Sequence, residues 1–142
     1  MDDPFDLQRF KDAQARVYPQ ALAELRAGRK TSHWMWFVFP QIAGLGSSPT
    51  AQFYALASLD EARAYLADPV LGPRLITCVQ AVNGLSGPSA HNVFGFPDDM
   101  KFGSCLTLFA KAAPDEPAFA EALGKYFGGE PDPKTLEILA GR

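Results

Sequence analysis

Cysteine, histidine, long apolar runs and excess positive charge are all scarce in this sequence, and each scarcity excludes something. Only two of the 142 residues are cysteine, Cys78 and Cys105, and both sit in apolar segments without a CxxC pattern. That density excludes a disulfide scaffold and reads as two reduced, buried thiols in a cytoplasmic protein. His33 and His91 are the two histidines, and the cysteines stand at no ligand spacing, so no metal site is expected. No cofactor is expected either. The formal charge of -3 disfavours broad nucleic-acid binding, which rests on neutralising phosphates with a basic face; a local basic pocket stays open. The longest unbroken apolar run, Trp34 to Phe39, falls far short of the ~20 residues a membrane-spanning helix needs, so no membrane partner is expected. The first residues, MDDPFDLQRF, are acidic and interrupted by Pro4, unlike a secretory signal.

What is present describes an ordinary globular chain, 47% hydrophobic and 20% charged. Its length suits one domain, taken as residues 1–142. Proline and glycine, twelve of each, are spread along the whole chain. Such punctuation suits short helices joined by sharp turns. The expected fold is all-α, or mainly α with minor strand: a compact single domain of several short helices.

The helix signals are local. Residues 3–30 read as helix, with Pro19 marking a break or a fresh first turn and Gly28 the end. Ser58 followed by Glu61 has the spacing of a capping box, with Leu59, Ala62 and Leu66 facing inward. Asp68-Pro69 suits a cap and first turn for the stripe Leu71, Leu75, Cys78 and Val82. Asp98 is a candidate cap for a helix carrying Phe102, Leu106, Phe109 and Ala113 on one face. Asp115 with Pro117, and Asp132 with Pro133, open two more. In MWFVF every residue is apolar, so periodicity does not separate strand from helix. Ser32 as cap and Pro40 as stop favour a short helix there.

Two stretches carry the candidate chemistry. HWMWFVFPQ holds both tryptophans, with Met35, Phe37, Val38 and Phe39 reading as core. Trp34 and Trp36, beside His33 and Gln41, form an apolar wall with polar handles, since an indole N–H needs a partner when buried. Such a wall suits stacking of a planar ligand. His33 titrates near neutrality and is a candidate acid or base; hydrogen bonding at a helix end is the alternative. Gly44 to Ser48 lacks P-loop spacing and reads as a turn, though Ser48 can offer a hydroxyl to an anion. In FPDDMKFGSC, Asp98 is a candidate for activating water or stabilising a cationic centre, and Lys101, like Lys30, for holding an anionic group. A solvated helix end is the alternative for these charges. Glu61 is a further catalytic candidate unless its capping box takes it up.

The blocks GRKTSHWMWFVFPQIAGLGSS, SLDEARAYLADPVLGPRL and SAHNVFGFPDDMKFGSCLTLF resemble successive blocks of the bacterial domain-of-unknown-function 1810 family, from about Phe5 to Phe109. The resemblance implies a mainly helical single domain and supplies no catalytic residue. Some members carry the label calpastatin. An inhibitor that folds on its protease would be polar and disordered when free, and this chain has ample core. A fainter similarity is to NADAR proteins, small helical domains acting on ADP-ribose-type N-glycosides. No catalytic residue is carried over from it.

Three readings follow. In the first, an N-glycoside hydrolase binds a nucleotide- or ADP-ribose-like small molecule between the two stretches. Asp98, Glu61 and His33 would be its catalytic groups, and Lys30, Trp34, Trp36, Gln41, Ser48 and Lys101 its binding groups. The second keeps the pocket without catalysis. The third makes the aromatic block an interface, with a homo-oligomer as one form. All require Trp36, His33, Asp98 and Lys101 to meet around one hollow.

Overall fold

The computed structural model describes residues 3–141. Within them lie ten helices: α1 (Gln8–Gln14), α2 (Tyr18–Arg26), α3 (Met35–Val38), α4 (Pro49–Tyr54), α5 (Leu59–Ala67), α6 (Leu71–Asn83), α7 (Ala90–Phe94), α8 (Asp98–Ala112), α9 (Pro117–Phe127) and α10 (Pro133–Ala140). No strand occurs among the described residues. An isolated parallel bridge joins Ile42 to Leu56. The all-α expectation holds, in one compact domain.

The longest helix, α8, is the axis. Every residue from Phe102 to Phe109 is buried, because α5, α7, α9 and α10 pack around it. A single apolar stripe is therefore too narrow a description of α8. Ser104 and Thr107, inside this helix, close their hydroxyls onto the Met100 and Gly103 carbonyls four residues back. They also reach the start of α10. The Asp132 carboxylate accepts from Ser104 Oγ at 2.9 Å, and its backbone N–H donates to Thr107 Oγ1 at 2.8 Å. Asp132 also caps α10 as expected, accepting from Thr135 N.

The caps decide several boundaries. Pro19 opens α2 in its first turn, separating it from α1. Asp68 Oδ1 accepts from the N–H groups of Val70 and Leu71, so it caps the turn leading into α6, while the cap position of α6 itself is Val70, not Asp68. Between α5 and α6 the chains approach so closely that a Cβ on Gly72 would lie 2.0 Å from the Leu66 carbonyl oxygen. Gly128 ends α9 in the left-handed conformation, φ 62°.

Other caps differ from expectation. Glu116, not Asp115, caps α9, accepting from Ala118 N. Ser32 does not cap α3: Trp34 stands at that position without a side-chain bond, and the Ser32 hydroxyl donates to Glu24. Ala113 lies just past the end of α8. Ser48 caps α4, a helix the turn-like sequence hid, by accepting from Ala51 N. Ser89 and Asn92 form a full capping box on α7.

Only half of the Ser58–Glu61 box forms. Ser58 Oγ accepts from Glu61 N, but the Glu61 carboxylate accepts from Ala57 N and pairs with Arg9 Nη2 at 2.9 Å. The inward face of α5 is accordingly Glu61, Ala62 and Tyr65. Arg9 uses all five of its N–H groups. Besides Glu61, it donates to the carbonyls of Phe5, Asp6, Phe53 and Ala55.

Candidate functional site

The site begins with a carboxylate. Glu24, buried on α2, accepts on Oε1 from Thr31 N (2.8 Å), Ser32 N (3.0 Å) and Trp34 Nε1 (2.9 Å). Its Oε2 accepts from Ser32 Oγ (2.6 Å) and Gln20 Nε2 (2.7 Å). Burial alone would raise its pKa. The donors, Ser32 Oγ foremost, outweigh burial and hold the carboxyl well below the usual range. Glu24 thus shapes the loop after α2 and anchors Trp34 at its end. Lys30 sits at the start of that loop, its N–H donated to the Val93 carbonyl of α7 at 2.7 Å.

The second side comes from α7 and α8. Gly95 ends α7 at φ 73°, a backbone that disfavours a side chain, and the chain turns into α8 at Asp98. Under the junction lies an aromatic stack. Phe39 meets Phe94 and Phe102 edge-on at 5.8 and 5.0 Å, while Phe94 stacks on Phe102 at 4.5 Å. This packing fastens the block around Trp34 to the start of α8.

Here the two stretches meet. Asp98 Oδ2 lies 2.8 Å from Lys30 Nζ, and Oδ1 lies 3.3 Å from Lys101 Nζ. Each ammonium also lies over an indole: Lys30 is 5.1 Å from the Trp34 ring centroid, and Lys101 is 4.9 Å from that of Trp36. Two lysines and one carboxylate leave the trio with one net positive charge. The Lys30 side chain is 8% exposed, that of Asp98 20% and that of Lys101 25%. Solvent therefore reaches the outer edge, while Lys30 lies deep. Trp36 is half-buried. On the same stretch as Asp98, Phe96 is 73% exposed and Met100 61%.

The sequence-based candidates divide. Lys30, Trp34, Trp36, Asp98 and Lys101 come together. Trp34 is fully buried with its N–H on Glu24, so it is a wall behind Lys30 and presents no face for stacking. Glu61 stands apart in its ion pair with Arg9. Ser48 is taken up as the cap of α4. Gln41 is half-buried, and its carbonyl accepts from Leu56 N. His33 is exposed, and its ring makes no hydrogen bond or ion pair among the described residues. His91 Nδ1 lies 3.4 Å from Asp99 Oδ2.

Asp98 is not the cap that its position suggested. Pro97 holds that place, without a side-chain hydrogen bond, because the Asp98 carboxylate is turned to the lysines. The expected hollow also differs. Clefts of about 230 to 480 Å³ open elsewhere, one of them lined by Met100, Gly103, Phe127 and residues 130–133. The ion pairs bridge the two stretches, and the exposed His33 takes no part in them. Chemically, the cluster offers ammonium donors beside an indole. Both Asp98 oxygens are engaged by a lysine, and each keeps acceptor capacity toward solvent because the side chain is 20% exposed. No group of three or more His, Cys, Asp or Glu side chains is arranged to hold a metal among the described residues. No helix among them is long and apolar enough to cross a membrane.

Sequence reasoning missed Glu24. The available signal was the requirement of a buried indole N–H for an acceptor, with Glu24 as the carboxylate just upstream.

A family model described as a protein of unknown function, DUF1810, matches residues 4–139. The chain is also similar to the conserved hypothetical protein Rv1873 from Mycobacterium tuberculosis, known from a crystal structure at 1.38 Å. The two are 54% identical, with 97% of this chain and 99% of that one covered, at a TM-score of 0.96. No curated protein matches the chain.

Proposed function

The chain belongs to the DUF1810 family, and from that premise we propose that it binds an anionic small molecule bearing a planar ring. The ligand class is nucleotide- or ADP-ribose-like, and the site is the Lys30–Asp98–Lys101 cluster. One observation carries this reading: two ammoniums converge on a single carboxylate, each backed by an indole, leaving net positive charge at a partly open edge. Lys101 meets the anionic group, Lys30 supports it from below, and the half-buried Trp36 lies against the ring. The two free, buried thiols suit a cytoplasmic setting.

Binding without turnover is the better-supported form. A hydrolase needs a carboxylate able to take a proton or orient water. Both Asp98 oxygens face lysines, and Glu61 is buried against Arg9. Titration calorimetry with ADP-ribose, NAD and AMP tests the reading, with chromatography of the same mixtures for released nicotinamide or adenine. The expected result is saturable binding of at least one compound and no product. Lys101→Ala should weaken it roughly tenfold or more, from the ~1.5–3 kcal/mol of a hydrogen bond to a charged group. Absence of heat with all three compounds, or unaltered affinity in Lys101→Ala, counts decisively against this site.

A further inference from the structure

We propose that Asp98 is a built-in occupant of the anion position. Its carboxylate fills the place of a ligand's phosphate, and the ligand enters by exchange with it. This rests on the anion-site reading above and adds which anion succeeds.

Four observations point the same way. The carboxylate spans the two ammoniums as a bridging anion would, one oxygen on each. Lys30 is deep enough to need a counter-ion in the unliganded protein, since breaking a buried pair leaves an uncompensated charge. Asp98 has no competing duty at the start of α8, because the cap position belongs to Pro97 and no side chain bonds there. The neighbouring carboxylate already serves the helix end: Asp99 accepts from Met100 N at 2.8 Å and lies beside His91. Asp98 can therefore leave the lysines without unmaking α8, and its partial exposure gives the exchange a route to solvent.

Exchange sets the ligand class. A carboxylate on the ligand would merely match the one it displaces. A phosphomonoester also offers several oxygens on one centre and carries about −1.5 to −2 charge at neutral pH. It therefore outcompetes a monoanion for two ammoniums. The preferred ligand ends in a phosphate, not a carboxylate.

The probes are AMP and adenosine, titrated into the wild-type protein and into Asp98→Asn and Asp99→Asn. Removing the internal competitor should tighten AMP binding about tenfold in Asp98→Asn, which needs ~1.4 kcal/mol. That lies within the range of a like-charge contact at ~4 Å between water and a protein surface. Adenosine should be unaffected, and Asp99→Asn should match the wild type. Tighter AMP binding in Asp98→Asn alone supports exchange, even where wild-type binding is too weak to measure. If the wild type binds AMP and Asp98→Asn binds it equally or less tightly, exchange is wrong and the anion site stands. An equal gain in Asp99→Asn also overturns exchange, since it marks a diffuse field effect. No AMP binding by either protein removes exchange, and the anion site falls with it if ADP-ribose and NAD also give no heat. Should Asp98→Asn not fold, carboxyl-labelled wild-type protein decides by carbon NMR. Saturation with AMP must move the Asp98 carboxyl resonance and leave that of Glu24 in place; a stationary Asp98 signal defeats the idea.

Discussion

Glu24 shows what a single side chain does for the site. It gathers three N–H groups and a hydroxyl from residues 31–34, and that loop joins Lys30 to Trp34. Its carboxyl is more acidic in the folded protein than in the unfolded chain. A depressed pKa gives stability that is present above the unfolded value, near ~4.3, and lost as pH falls toward the folded one. The thermal midpoint of the wild type should therefore drop between about pH 5 and pH 3, and Glu24→Gln should flatten part of that drop. At pH 7 the same substitution should cost ~2–3 kcal/mol in urea melts, because buried donors lose a charged acceptor. A variant as stable as the wild type would show that the loop holds itself. At this scale the sequence was partly legible. Lys30, Trp36, Asp98 and Lys101 stood out because charge and aromatics rarely neighbour each other without a reason. Glu24 and Arg9 did not, because their partners lie in distant or turn-like segments that periodicity does not reach.

Elements were more legible than residues. Pro19 and Asp132 marked helix starts correctly, and Asp68 the turn just before one, because their signals act within one turn. Ser32, Asp98 and Asp115 misled because each stands one or two residues from the cap position, held by Trp34, Pro97 and Glu116. The Ser32 and Asp98 side chains instead bond a carboxylate and a pair of ammoniums outside the helix. The helix after Ser48 was hidden by its lack of an apolar stripe, and it buries no residue. The α5–α6 junction makes an element-scale prediction. A methyl on Gly72 would meet the backbone of Leu66, which has no rotamer to yield. Gly72→Ala should therefore destabilise by about 3 kcal/mol, at the upper end of overpacking costs, as read from the urea midpoint. A loss below ~1 kcal/mol would mean that α5 and α6 slide apart easily.

For the molecule as a whole, the burial of α8 from Phe102 to Phe109 ties stability to one cooperative unit. Cys105 lies in that helix and Cys78 in α6, both fully buried. Burial pushes the Cys78 thiol up to about 12 and that of Cys105 well above its ordinary value. Both should resist a thiol reagent at pH 8 until the chain opens. Labelling rates should then follow the urea dependence of global unfolding, and rapid labelling of the native protein would contradict the packing described. Arg9 adds a consequence of a different kind. Five oxygens, four of them peptide carbonyls, wait on one guanidinium. An ammonium in its place has three hydrogens to give, so at least two of these five bonds would be lost even though the charge were kept. The latch that ties the first helix to the middle of the chain is thus a matter of prong number and angle, and a like-charged substitute would not close it.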